Sequence, residues 1–230
     1  RGSGSNMGYA DALEVFSIYG QESGSNGQSQ ELSRILIEFP VSVISANRTA
    51  GTIPASGSVE FYLKMYNART PFTLPQNFNL IVAPVSQSWN EGTGLDMDEY
   101  QDLGQANWGK PTLAADWTSQ GGDYLTASNY NVSFPKGYEN LEVNVSEIME
   151  RWITASNEFN NYGFGIHLTA SQEAYFSSSL GTDSGSVIQN TVGAKQSYYT
   201  KKFFSRSTEF FFQRPVIEAR WDDRVEDDRE

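Results

Sequence analysis

Val59, Phe61, Leu63 and Met65 alternate with Glu60, Tyr62, Lys64 and Tyr66, the two-residue period of a strand that turns one face to a core. Residues 78–82, 141–145, 162–168 and 215–221 repeat the pattern, with turn-rich joints between them. Residues 33–39 form a compact apolar strand closed by Pro40, and residues 13–19 alternate more weakly. The run 20–29 is Gly, Ser, Asn and Gln with a single acid, so it reads as an exposed loop. One stretch has a different period: Val145, Ile148, Met149, Trp152 and Ile153 fall at helical spacing, with Asn144 or Ser146 able to cap the first turn. The pattern therefore predicts at least six strands and one short helix over residues 146–153, with a long irregular insertion at 89–130 that carries three of the five tryptophans.

Composition sharpens this picture. The 230 residues suit one large domain, and the 12 Tyr, 14 Phe and 20 Gly favour strands joined by flexible turns. With 16 basic against 28 acidic residues the net charge is -12, which argues against nucleic acid as a partner, because phosphate neutralisation supplies most of that affinity. The chain has no cysteine, which removes disulfides, thiol nucleophiles and zinc-thiolate sites together. No apolar stretch approaches the roughly 20 residues of a membrane helix, so no membrane partner is expected. Residues 1–6 read as a vector-derived linker before Met7, residues 7–221 as a single domain, and residues 222–230 as an acidic tail beginning a further segment of a longer polypeptide. The prediction is a single all-β domain, an antiparallel β-sandwich of jelly-roll type with one short helix.

Candidate chemistry is sparse. Gly104-Gln-Ala-Asn-Trp-Gly-Lys-Pro111 matches a phosphate-binding loop until its last position, where proline cannot give magnesium a hydroxyl. Asp96, Asp98, Glu99 and Asp102 put four carboxylates within seven residues, a candidate calcium loop that lacks the ordered Gly and terminal Glu of an EF-hand; no other cofactor is indicated. His167 is the only histidine, shares a strand face with Gly163 and Gly165, and has no nucleophile elbow or metal-binding helix to pair with, so it reads as structural. Paired carboxylates for polysaccharide cleavage need only meet in space, and nothing in the sequence selects a pair. Trp89, Trp108, Trp117 and Tyr124 could stack on sugar rings from the insertion, although core packing would use the same residues. Sequons at Asn47, Asn131 and Asn144 read as chance in an Asn- and Ser-rich chain.

The segment 195–220 stands apart, with six basic residues against two acids in an otherwise acidic chain. Within residues 198–212 seven aromatics interleave with charges, a mixture enriched at the centres of protein interfaces. Lys201, Lys202, Arg206, Phe210 and Arg214 are the expected contact residues, and the acidic tail of a neighbouring copy would complement the basic ones.

Six pieces occur in the order seen in DNRLRE-type domains: Ser33-Arg-Ile-Leu-Ile-Glu-Phe39, Ser88-Trp-Asn-Glu-Gly92, Leu141-Glu-Val-Asn-Val145 leading to Arg151-Trp152, Asn161-Tyr-Gly-Phe164, Tyr175-Phe-Ser-Ser178 and Arg214-Pro-Val-Ile-Glu218. Those domains are jelly-roll sandwiches akin to carbohydrate-binding modules. The stretches 199–223 and 89–100 further resemble a virion structural protein of tailed, often marine, bacteriophages. The resemblance to DNRLRE-type domains spans roughly residues 30–221, and that to the virion protein implies a place in the virion, with other virion proteins or copies of itself as partners. It implies no catalysis and supplies no ligand residues. A polysaccharide ligand is the alternative, and polysaccharide cleavage a further one.

Overall fold

In the computed structural model, which describes residues 4–20, 29–70, 73–95, 105–154, 159–173 and 197–224, the alternating stretches become strands. In chain order the elements are β1 (Ala12–Gly20), β2 (Ser29–Ser33), β3 (Ile35–Ile37), α1 (Val41–Thr49), β4 (Glu60–Met65), β5 (Phe78–Pro84), β6 (Tyr130–Phe134), β7 (Leu141–Asn144), α2 (Ser146–Ile153), β8 (Phe164–Leu168), β9 (Ser197–Phe204) and β10 (Val216–Arg220). They pair antiparallel in three sheets, ordered β2-β1-β9, β10-β4-β7 and β3-β8-β5-β6. This is an all-β sandwich with two short helices against it.

The alternation decides which face is buried. Phe61, Leu63 and Met65 of β4 are fully enclosed, and they meet Phe78, Leu80 and Val82 of β5 and Phe164, Ile166 and Leu168 of β8 in one core. Phe78 lies opposite Phe134 in the β5–β6 ladder, and their rings stack at 5.3 Å. Phe134 then meets Phe203 of β9 edge-on at 6.3 Å, so aromatic packing carries the core from one sheet to the next. Truncating any one of these phenylalanines to Ala would cost about 3–5 kcal/mol.

Helix α2 forms where the sequence places it. Asn144 Oδ1 accepts from the Ser146 amide at 3.0 Å, which satisfies a free donor of the first turn. Ile148, Met149 and Trp152 face inward, and the Trp152 ring lies 4.8 Å from that of Phe164. The expectation of a single helix is corrected by α1. Its sequence is Val, Ser, Ile and Asn-rich, residue types that suit strands or turns, and only Val41 on it is buried. Tertiary contacts override that propensity: Arg48 in its last turn forms a two-pronged ion pair with Glu150 of α2, at 2.6 and 2.7 Å. The same guanidinium lies 5.7 Å from the Phe61 ring and donates to the Pro54 carbonyl at 3.1 Å. Strand β6 is a further addition to the predicted elements, its residues 130–134 alternating in burial.

The insertion is ordered where described. Asn6, at the end of the segment set aside as linker, donates to the Ala106 carbonyl at 2.9 Å and accepts from the Gly8 and Gly94 amides at 3.1 and 3.3 Å. The acidic residues Asp96, Asp98, Glu99 and Asp102 lie outside the described residues, as do residues 225–230 of the tail.

Candidate functional site

An open cleft of about 950 Å³ is lined by Arg34, Ser86, Gln87, Thr118, Ser119, Gln120, Gly122, Asp123, Tyr124 and Thr126. It is built where residues 117–126 of the insertion fold back on the end of β5. The Leu125 amide donates to Pro84 at 2.9 Å and the Ser86 amide to Asp123 at 2.9 Å, which zips the two segments together. The Asp123 carboxylate organises the turn: one oxygen accepts from the Thr118 amide (2.8 Å) and Gln87 Nε2 (2.7 Å), the other from the Ser119 amide (2.7 Å).

Arg34, between β2 and β3, forms the floor. Its Nε and Nη2 donate to the two oxygens of Glu173 at 2.9 and 2.8 Å, and Nη1 donates to the Gly121 carbonyl at 3.2 Å. Its guanidinium lies 5.1 Å from the Trp108 ring and 5.9 Å from that of Tyr124, within range for cation–π attraction. Burial works against the charge on Arg34, and the carboxylate of Glu173 more than restores it, so the pKa rises.

Tyr124 closes the wall. Its hydroxyl donates to Gly121 at 2.6 Å, and its ring lies 5.0 Å from His167. Gly165 is what lets it do so: a Cβ there would sit 2.0 Å from Tyr124 Cε1. The glycine-lined face of β8 noticed in the sequence is thus filled by a tyrosine from a distant loop. Burial pushes the Tyr124 phenol up, and burial followed by the nearby Arg34 charge pushes the His167 imidazole down, leaving it neutral at neutral pH. Nδ1 of His167 lies 2.7 Å from the Leu168 carbonyl, so that nitrogen carries the proton.

The predicted sugar platform is dispersed. Tyr124 lines the cleft and Trp108 adjoins it through Arg34. Trp117 is 6% exposed, with Nε1 donating to Asn107 at 2.9 Å. Trp89 is tied to the Tyr162 carbonyl at 2.8 Å. The sequence reading missed Arg34, Gln87 and Asp123; the one available signal was a charged residue set inside the apolar run 33–39.

The predicted contact residues divide differently. Lys201 is 2% exposed and lies inside the molecule, away from any docking surface. Lys202 pairs with Glu14 at 3.3 Å, and Arg206 grips both oxygens of Glu91 at 3.0 and 2.6 Å. Arg214 donates to the Thr208 carbonyl at 3.2 and 3.0 Å and lies over Phe211 at 5.4 Å. Phe210 packs edge-on against Phe204 at 5.5 Å yet remains 52% exposed, and its neighbours Phe211 and Phe212 are 67% and 87% exposed. The segment therefore presents phenylalanine, with Lys201 enclosed, and with Lys202, half-buried, and Arg206, exposed, both paired within the chain.

Among the described residues, no three His, Asp or Glu side chains gather as a metal site requires, and no helix is long and apolar enough to cross a membrane. Fold and cleft define an all-β domain with an open polar groove and a projecting aromatic turn. No protein-family model matches the chain, and no curated protein matches it significantly.

Proposed function

We propose that this chain is a non-enzymatic structural component of a bacteriophage particle that holds neighbouring virion proteins through protein contacts, as the resemblance of residues 199–223 and 89–100 to a phage virion structural protein implies, built as the jelly-roll-type sandwich that the resemblance to DNRLRE-type domains implies. The observation that supports this reading is the turn of three consecutive phenylalanines, Phe210, Phe211 and Phe212, standing in solvent between β9 and β10. Each gains on the order of 1.5–3 kcal/mol when fully buried, so three on one turn form a contact anchor. The turn is short and fixed: the Phe211 amide donates to Glu209 at 3.0 Å and the Gln213 amide to Phe210 at 2.9 Å. Lys201 is enclosed and Lys202 and Arg206 are paired within the chain, so the adhesion proposed for this face rests chiefly on its apolar rings. Replacing Phe211 and Phe212 together by Ser should leave the fold intact and abolish incorporation into particles; undiminished incorporation would overturn the reading.

A second reading, saccharide binding, is favoured by the cleft. Its rim of Ser86, Gln87, Thr118, Ser119 and Gln120 offers hydroxyls and amides of the kind that pair with sugar hydroxyls. A glycan array comparing the protein with Gln87→Ala and Gln120→Ala tests it, and a blank array would remove it. Cleavage of a bound glycan by two carboxylates needs a pair, whereas this lining supplies Asp123, whose two oxygens already accept three hydrogen bonds.

A further inference from the structure

Lys201 occupies a core position of β9, opposite Val15 of β1, where the alternation calls for an apolar side chain. Its stem runs between two phenylalanines, with Nζ 4.8 Å from the Phe134 ring and 5.2 Å from that of Phe203. Nζ donates to Asn67 Oδ1 at 2.7 Å, to the Gly137 carbonyl at 2.9 Å and to the Glu139 carbonyl at 2.7 Å. Asn67 is fixed against it: the Ala68 amide donates to Lys202 at 3.0 Å, the Phe204 amide to Tyr66 at 3.0 Å, and the Asn67 amide to Asn140 Oδ1 at 2.9 Å. The backbones on both sides thus impose the approach of amine to carboxamide. Glu139, in the loop joining β6 to β7, holds one carboxylate oxygen on the Lys136 amide at 2.8 Å; the other, Oε2, is buried with no hydrogen-bond partner.

We propose that Lys201 and Asn67 form an intramolecular isopeptide bond, with Glu139 as the proton carrier, joining the β10-β4-β7 sheet covalently to the β2-β1-β9 sheet. The neutral Nζ attacks Cγ of Asn67, forming the Nζ–Cγ bond. Glu139 takes a proton from the attacking nitrogen and delivers it to Nδ2. The Cγ–Nδ2 bond breaks and ammonia leaves, with the carboxylate regenerated. One amide replaces another, so no oxidant, reductant or co-reactant is consumed. Each requirement of the step has its residue. Burial lowers the Lys201 pKa to about 8 against the pull of the Glu139 charge, so about a tenth of the amine is neutral at pH 7. The Nζ–Oδ1 contact of 2.7 Å sets the amine against the carboxamide, and the rigid backbone on both sides holds the groups together, which removes a large part of the barrier to an intramolecular reaction. The Glu139 charge acts on the Lys201 amine and its buried Oε2 has no hydrogen-bond partner, which makes this carboxylate the acid–base group at hand for the exchange once its side chain turns toward Nζ.

The test is the intact mass of the purified protein, followed by proteolysis. The expected mass is one ammonia below that of the sequence, with the loss localised to a branched peptide joining the segments around Asn67 and Lys201. Lys201→Arg and Asn67→Ala should each restore the full mass, and Glu139→Gln should form the link about a hundredfold more slowly. A wild-type protein of full mass after prolonged incubation at mildly alkaline pH would overturn the proposal. So would an ammonia loss mapped to another asparagine, or to Asn67 without Lys201. Because the decisive reading is made on the unmutated chain, it does not depend on any variant folding.

Discussion

The Arg34–Glu173 pair beneath the cleft gives the sharpest energetic prediction. Both side chains are almost fully withdrawn from water, at 13% and 8% exposure, so solvent screens their attraction weakly. The geometry is two-pronged, and the third donor of the guanidinium is taken by Gly121. Replacing Glu173 by Leu leaves a buried cation against Trp108 and Tyr124 with no counter-charge, and replacing Arg34 by Met leaves a buried carboxylate. Each single change should cost about 3–5 kcal/mol, while the double replacement, which removes both charges and keeps the volume, should cost far less. For a domain of this size that corresponds to a fall in Tm of about 6–20 °C for each single variant. The assay is urea unfolding of the four proteins of the cycle, followed by tryptophan fluorescence, which also reports on Trp108 losing its cation. Single variants that each cost under about 1 kcal/mol, with simple additivity in the double, would refute the reasoning, because they would mean that water reaches the pair.

Gly165→Val should expel the Tyr124 ring from β8 and cost about 1–3 kcal/mol, read as a lower urea midpoint with loss of the ring-current shift on His167 in proton NMR. Arg48→Met should detach α1 from α2 and cost about 1.5–3 kcal/mol. The Arg48 hydrogen bonds hold the Glu150 carboxyl below its ordinary value, so that contribution is present above the unfolded carboxylate pKa and lost as the pH falls through the folded one; the gap in Tm between wild type and Arg48→Met should close in acid. His167 has its folded pKa depressed, by burial first and by Arg34 second, so the unfolded chain binds its proton more readily. Stability should therefore decline as the pH drops below about 6.5, and His167→Gln should flatten that part of the profile in melting curves taken across it.

What could be read from the sequence was whatever short-range periodicity encodes. The alternation in residues 59–66 and the helical spacing from Val145 to Ile153 both report burial on one face, and a face is a local property. Helix α1 escaped because its stabilising contacts come from Glu150, Phe61 and Pro54, none of them visible in the pattern of its own residues. The cleft escaped for the same reason. Its parts come from residues 34, 86–87, 118–126 and 173, and nothing in the composition of any one piece announces that the others will meet it. Lysine is usually a surface residue, yet the place of Lys201 between Tyr199 and Phe203 on an alternating strand puts it on the core face.

The two buried cations also bear on how the aromatic turn is anchored. Arg34 fastens the insertion to β3, and Lys201 fastens the loop joining β6 and β7 to β9, each through hydrogen bonds to backbone carbonyls of segments that have little regular structure. Both segments would otherwise be the first to open, since exposed irregular backbone has few apolar contacts to hold it. Strand β9 leads directly into the turn that carries Phe210, Phe211 and Phe212. Were a neighbouring protein to pull on that turn, as the proposed function requires, the load would pass along β9 to Lys201 and from there to Asn67, just beyond β4. A covalent Lys201–Asn67 link at that point would carry load between two sheets that, among the described residues, are joined in the backbone by one bridge, Asn67 with Phe203, and its flanking hydrogen bonds.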